Sequence, residues 1–179
     1  MKIGSLIGIA LLAGAVSAVL LPQMAELEAA QHREAGGLET TFAGRMNLND
    51  DNLVDVLAAL PLTLPVDSAA WNGRVLSLDL KVTGNDHEPR ELYGNMAEAI
   101  TFAFQETGNV GQLLLRVIAE DKWLGSRRLL LAGDIRRGEW SSRLTEELRQ
   151  AGNHPLPDTL KTGLRISESE LWNQQFIHP

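Results

Sequence analysis

Between Val75 and Glu120 the spacing of hydrophobic positions changes twice, and the changes predict strand, helix, strand. In VLSLDLKV (75–82), Leu76, Leu78, Leu80 and Val82 alternate with Ser77, Asp79 and Lys81, the period of a strand with one buried face. From Pro89 to Thr107 the apolar positions fall three and four apart, so that Leu92, Met96, Ala99, Ile100, Ala103 and Thr107 form one helical stripe. Pro89 suits a first turn, and Gly108-Asn109 ends the run. QLLLRVIA (112–119) then returns as an aliphatic strand. A strand–helix–strand unit of this length predicts a parallel pair with a right-handed crossover.

The same reading extends outward. Asn72-Gly73 predicts a two-residue hairpin turn, because both residues tolerate positive φ. Strict alternation backward from that turn puts Trp71 at the edge of the core face and Asp67 on it. A carboxylate there predicts a short first strand or a bulge near Asp67. Lys122–Ser126 predicts a hairpin into RLLLAGDIR (128–136), with Leu129, Leu131, Gly133 and Ile135 sharing a face. A helix is expected over 51–60, capped by Asn49 or Asp50, with Leu53, Val56, Leu57 and Leu60 as its stripe and Pro61 as its stop. A second is expected over 141–151, on Leu144, Leu148 and Ala151, ending at Gly152. Pro155 and Pro157 mark 152–166 as a linker, and Ser167-x-x-Glu170 predicts the cap of a last helix carrying Leu171, Trp172 and Phe176.

The amino-terminal pattern is of another kind. Ile3 to Leu21 carry no charge, and about twenty apolar residues span a bilayer as a helix. Lys2 and the terminal amine favour a cytoplasmic N-terminus, with the bulk of the chain extracytoplasmic. A cleaved signal is the alternative, since Ala13-Gly14-Ala15 and Val16-Ser17-Ala18 are small-residue sites, and would make the protein secreted. The run continues past both sites, and its length favours retention. The expected fold class is α+β: a small mixed sheet in the order helix, strand, strand, helix, strand, strand, with helices on one or both faces, behind an N-terminal transmembrane helix. The expected layout is an anchor over 1–24, a stalk over 25–48, a domain over 49–151, and a C-terminal linker and short helix over 152–179 that pack on the domain.

On the opposite face of the last two strands, Leu114, Ile118, Leu130 and Ala132 are apolar, with Arg116 among them. A sheet face of this kind needs cover. It comes either from the chain's own C-terminal part or from a partner, and in the second case these five residues are the candidate partner surface.

Composition narrows the chemistry. The net charge of −7 disfavours general nucleic-acid binding. The absence of cysteine excludes disulfides, thiolate metal sites, cysteine nucleophiles and lipoprotein acylation. The four histidines lie far apart, without zinc-site spacing, so no metal and no cofactor is expected. Asp86-His87-Glu88 is the nearest approach to a ligand cluster but lies in a turn before Pro89, where polar residues are ordinary. Asp79, beside Lys81, reads as structural. No nucleophile elbow, phosphate loop or dinucleotide fingerprint is present. Trp123, Arg127, Arg128, Arg136 and Arg137, with Trp140, could build a cation–π surface for an anionic ligand, although a Trp beside a turn more often covers core.

Residues 51–135 resemble the ring-building-motif fold, and more narrowly the GerM-type domains of spore-forming bacteria. The resemblance is carried by LSLDL (76–80), MAEAITFAFQETGNV (96–110) and QLLLRVIAE (112–120) behind an apolar leader. It implies a non-catalytic domain that mediates oligomerisation or protein contact outside a bacterial membrane. The C-terminal 45 or so residues depart from the family pattern. The expected function is therefore a membrane-anchored, non-enzymatic protein-binding or self-assembly module. The alternative is an exported ligand-binding domain or hydrolase with a pocket near Asp86–Glu88, drawing also on Trp123 and Arg127.

Overall fold

The computed structural model describes residues 44–84, 86–121 and 123–177. The apolar leader and most of the expected stalk lie outside them. Among the described residues no helix is long and apolar enough to cross a membrane.

The described part is an α+β domain on one five-stranded mixed sheet. Its elements are α1 (Leu53–Ala58), β1 (Val66–Asn72), β2 (Val75–Thr83), α2 (Pro89–Thr101), β3 (Gln112–Glu120), β4 (Arg127–Arg136), α3 (Ser142–Arg149), α4 (Asp158–Gly163), β5 (Ile166–Glu168) and α5 (Glu170–Trp172). The strands lie in the order β1-β2-β3-β4-β5, and only β2 and β3 are parallel. Leu76, Leu78 and Leu80 of β2 are fully buried against Leu92, Met96 and Ile100 of α2, as the two periods require. The turn that closes β1 on β2 is Gly73-Arg74 and not the expected Asn72-Gly73: Asn72 pairs with Val75, and of the expected two only Gly73 takes a positive φ, +63°. The register shifts between Val66 and Ser68, so Asp67 is a bulge residue. It escapes the core face and pairs with Lys81 and Arg127 instead.

Helix α2 does not simply stop. It widens into a π-helical turn, Phe102–Glu106, closed where the Thr107 amide donates to the Phe102 carbonyl. Asn95, buried on α2, holds the entry to β1. Its Oδ1 accepts from the amides of Thr63 and Leu64, and its Nδ2 donates to Thr63 Oγ1 and the Glu91 carbonyl. All of its polar capacity is thereby used, which makes a buried amide tolerable.

Four further expectations need correction. Residues 152–166 are not a linker. Leu156, Leu160 and Leu164, four apart, are buried in the same core, and α4 lies between them. The last helix is capped by Ser169 rather than Ser167, since Ser169 Oγ accepts from the Trp172 amide. Ser167 belongs instead to β5, a fifth strand that pairs with Leu131–Gly133 of β4. The first helix starts at Leu53, and Asn49 and Asn52 exchange side-chain-to-amide bonds ahead of it. Finally, the domain begins before residue 49. Leu48 is core, and Met46 bridges to Thr107.

Candidate functional site

The buried helix residues join Leu78, Leu115 and Leu131 of the sheet in one core. The C-terminal segment packs there too, with the Trp172 ring 5.6 Å from that of Tyr93 on α2. It does not cover the opposite face, contrary to the self-covering expectation. Among the described residues nothing does, and this outer face is the candidate site.

Its composition differs from the alternation expected on β4. The β3–β4 register shifts between Val117 and Ile118, leaving Leu130 as an extra residue beside Leu131. Two adjacent residues then oppose one, so the residues before the bulge lie on the opposite face from the one strict alternation gives, while those after it keep theirs. Leu130 is fully buried in the core, whereas Leu129 pairs with Ile118 and is 42% exposed. The candidate surface of Leu114, Arg116, Ile118, Leu130 and Ala132 therefore loses Leu130 and gains Leu129. Leu114 is 38% exposed, while Ile118 is buried between its neighbours.

Ion pairs frame these apolar side chains. Arg116 reaches across from β3 and grips Asp79 of β2 with two parallel bonds, Nε–Oδ1 at 2.7 Å and Nη2–Oδ2 at 2.6 Å. Ser68 Oγ donates to the same carboxylate at 2.9 Å. At one end Lys81 lies between Asp67 and Glu120, at 3.5 and 3.1 Å, and Arg127 also binds Asp67. At the other, Gln112 and Arg136 meet Asp134. A depression of about 360 Å³ lies among Ser77, Asp79, Leu114, Arg116, Ala132 and Asp134.

Asp79 is the one buried carboxylate on this face. Burial pushes its pKa up, but the bonds from Arg116 and Ser68 outweigh burial and hold it below the ordinary value of 3.8. Lys81, expected to be its partner, serves Asp67 and Glu120 instead. A depressed carboxylate stabilises the fold at pH values above its unfolded pKa, and that contribution is lost as the pH falls through the lowered, folded value. Arg116→Ala leaves Asp79 buried with only a hydroxyl, and is expected to cost about 2–3 kcal/mol at neutral pH, discounted because Arg116 itself is largely exposed. The gap between the native chain and the variant should be full at neutral pH, narrow as the pH falls through the raised folded pKa of the variant's Asp79, and close only below the lowered native value. Denaturant unfolding across that range checks it; a gap independent of pH would show that Asp79 contributes nothing.

The other expected contacts scatter. Arg137 is not free for an anion. Its guanidinium donates to the carbonyls of Val110, Phe104, Ala103 and Thr107 at 2.6–2.9 Å and lies 5.4 Å from the Phe104 ring centroid. Burial, with Arg45 and Arg74 nearby, lowers its pKa, yet an arginine stays charged. Trp140 packs against Phe104 with the rings tilted at 41° and donates to Thr145, so it is not part of an open cation–π surface. Arg127 and Arg136 face Asp67 and Asp134, and Arg128 is exposed.

Of the five groups proposed to converge on a ligand, Asp86 and Trp123 border one cavity of about 570 Å³. His87 turns to Glu91 at 2.9 Å and Glu88 to Arg90 at 2.8 Å, and neither lines that cavity. Among the described residues no group of three or more His, Asp or Glu could hold a metal ion.

Comparison with known proteins adds no relative: no family model, curated protein or solved structure matches this chain.

Proposed function

We propose that this protein is a membrane-anchored extracytoplasmic domain that works by contact, without catalysis, and that the outer face of β3 and β4 is its contact surface. The anchor is the apolar run Ile3–Leu21. The observation that carries the reading is the outer face, which no described element covers although Leu114 and Leu129 stand exposed on it between fixed ion pairs. Exposed aliphatic side chains on a rigid, hydrogen-bonded frame suit a surface already shaped for a partner. The occupant is a second copy or another protein. Asp67, Asp79, Glu120 and Asp134 balance Lys81, Arg116, Arg127 and Arg136, a composition that suits a two-fold contact of the face with itself. The resemblance to GerM-type domains supports the same class of activity.

Sizing the full chain in mild detergent, alongside pull-down from membranes, tests this. A dimer or a captured membrane neighbour is expected, and Leu114→Asp with Leu129→Asp should abolish it while leaving circular dichroism unchanged. A strictly monomeric chain that captures nothing would remove the proposal.

A further inference from the structure

We infer that the tip of the β3–β4 hairpin is a second membrane contact, at which Trp123 and Leu124 enter the interfacial layer of a phospholipid bilayer. These two side chains are the most exposed large apolar groups among the described residues, at 94% and 83%. The exposure is built in. Asp121 Oδ1 accepts from the amides of both Trp123 and Leu124 at 2.8 Å. The Asp121 carbonyl accepts from Gly125, at φ +61°, and the Asp121 amide donates to Ser126. These backbone bonds lower the Asp121 pKa from its ordinary value, so the carboxylate that pins the loop is ionised at neutral pH. A turn held in this way presents the two residues outward instead of letting them fold onto the cavity they border.

A bilayer fits this tip better than a protein does. Two adjacent side chains offer far less than the roughly 800 Å² that each partner contributes to a stable protein interface. Their neighbours Asp121, Ser126, Arg127 and Arg128 are exposed and polar, and Leu171 and Phe176, which line the same cavity, are half-buried, so the fully exposed apolar patch is confined to the tip. Lipid needs no matching pocket, and tryptophan concentrates where water meets hydrocarbon. Asp121 is engaged by the turn and Arg127 by Asp67, but Arg128 is exposed and Lys122 precedes Trp123 in the sequence, so a small positive charge remains at the tip. Insertion should accordingly favour anionic lipid and weaken modestly as salt rises. The inference rests on the proposed anchoring, which supplies the bilayer at high local concentration.

Because the chain has no cysteine, single labels report cleanly. The full chain is reconstituted into vesicles of equimolar phosphatidylcholine and phosphatidylglycerol, with a polarity-sensitive fluorophore on Ser126→Cys or, as control, on exposed Thr159→Cys of α4. The probe at 126 should be blue-shifted and quenched by shallow spin-labelled lipid, most strongly in low salt. The probe at 159 should not, and Trp123→Ser with Leu124→Ser should return the probe at 126 to its aqueous spectrum. A chain that sediments with vesicles but shows the same aqueous spectrum at both positions overturns the tip contact and leaves the anchor standing. A chain that stays in the supernatant overturns the anchor, and this inference with it.

Discussion

Replacing Arg137 with alanine is expected to destabilise the domain by about 3–5 kcal/mol, a large share of what a domain of this size has. The reason lies in the end of α2. A helix terminus leaves carbonyls without donors, and a π turn displaces them further. Here one guanidinium takes the carbonyls of Ala103, Phe104 and Thr107, and then that of Val110 at the entry to β3. Its positive charge also meets the negative end of the helix. Alanine takes this donor from the carbonyls of Phe104, Thr107 and Val110, leaves that of Ala103 to the Thr107 hydroxyl, and removes the group that ties helix end to strand start. Arg137→Lys should recover only part of the loss, because an ammonium lacks the planar fork. Urea unfolding of the full chain in detergent, followed by circular dichroism, measures both. An alanine variant within about 1 kcal/mol of the native chain would contradict the role assigned to Arg137.

Trp172→Ala is the second large effect, also about 3–5 kcal/mol. The indole is fully buried, 5.6 Å from the Tyr93 ring and stacked at 4.7 Å on Phe176. Truncation empties the place where the C-terminal segment meets α2. Its Nε1 has no hydrogen-bond partner among the described residues, and neither do Tyr93 Oη and Glu168 Oε1 beside it. Burial pushes the Tyr93 phenol up, with Glu168 adding to the shift, so the hydroxyl stays protonated as a donor. Trp172→Phe keeps most of the apolar bulk and deletes an unpartnered N–H, so it should cost less than about 1.5 kcal/mol. The same unfolding experiment separates the two variants. Equal losses would mean that the indole N–H, not the packing, holds the segment.

Much of this was readable in the chain. The β2–α2–β3 unit was legible because each element buries one face, and a buried face imposes its period on the sequence. The Asp67 bulge was legible for a related reason: a carboxylate at a core parity must move or be paired. What escaped has equally physical causes. The Leu130 bulge lies within a run of three leucines, where alternation carries no information, so Leu129 and Leu130 exchanged faces unseen. Strand β5 is three residues long, too short for a period to show. The spacing of Leu156, Leu160 and Leu164 was available, but Pro155 and Pro157 pointed to a linker. Arg136 and Arg137 are adjacent and alike in sequence, and only the geometry at the end of α2 separates a solvated arginine from a half-buried, fully engaged one. Asp79 was read as structural, but its partner on the neighbouring strand could not be named before the register was known.

The corrections sharpen the functional reading. With Arg137 and Trp140 assigned to the core, the anionic-ligand surface loses its centre. With α4 buried in the core, α5 packed on α2 through Trp172 and β5 paired within the sheet, the outer sheet face keeps no cover from the described chain.

The most direct test of that face is a photo-reactive amino acid placed at Leu114 of the full chain in intact cells, with Thr159 as the control position. The contact reading predicts a discrete higher-mass adduct from position 114, none from 159, and its loss when Leu129→Asp is added. No adduct at 114, or the same adducts at both positions, would contradict it.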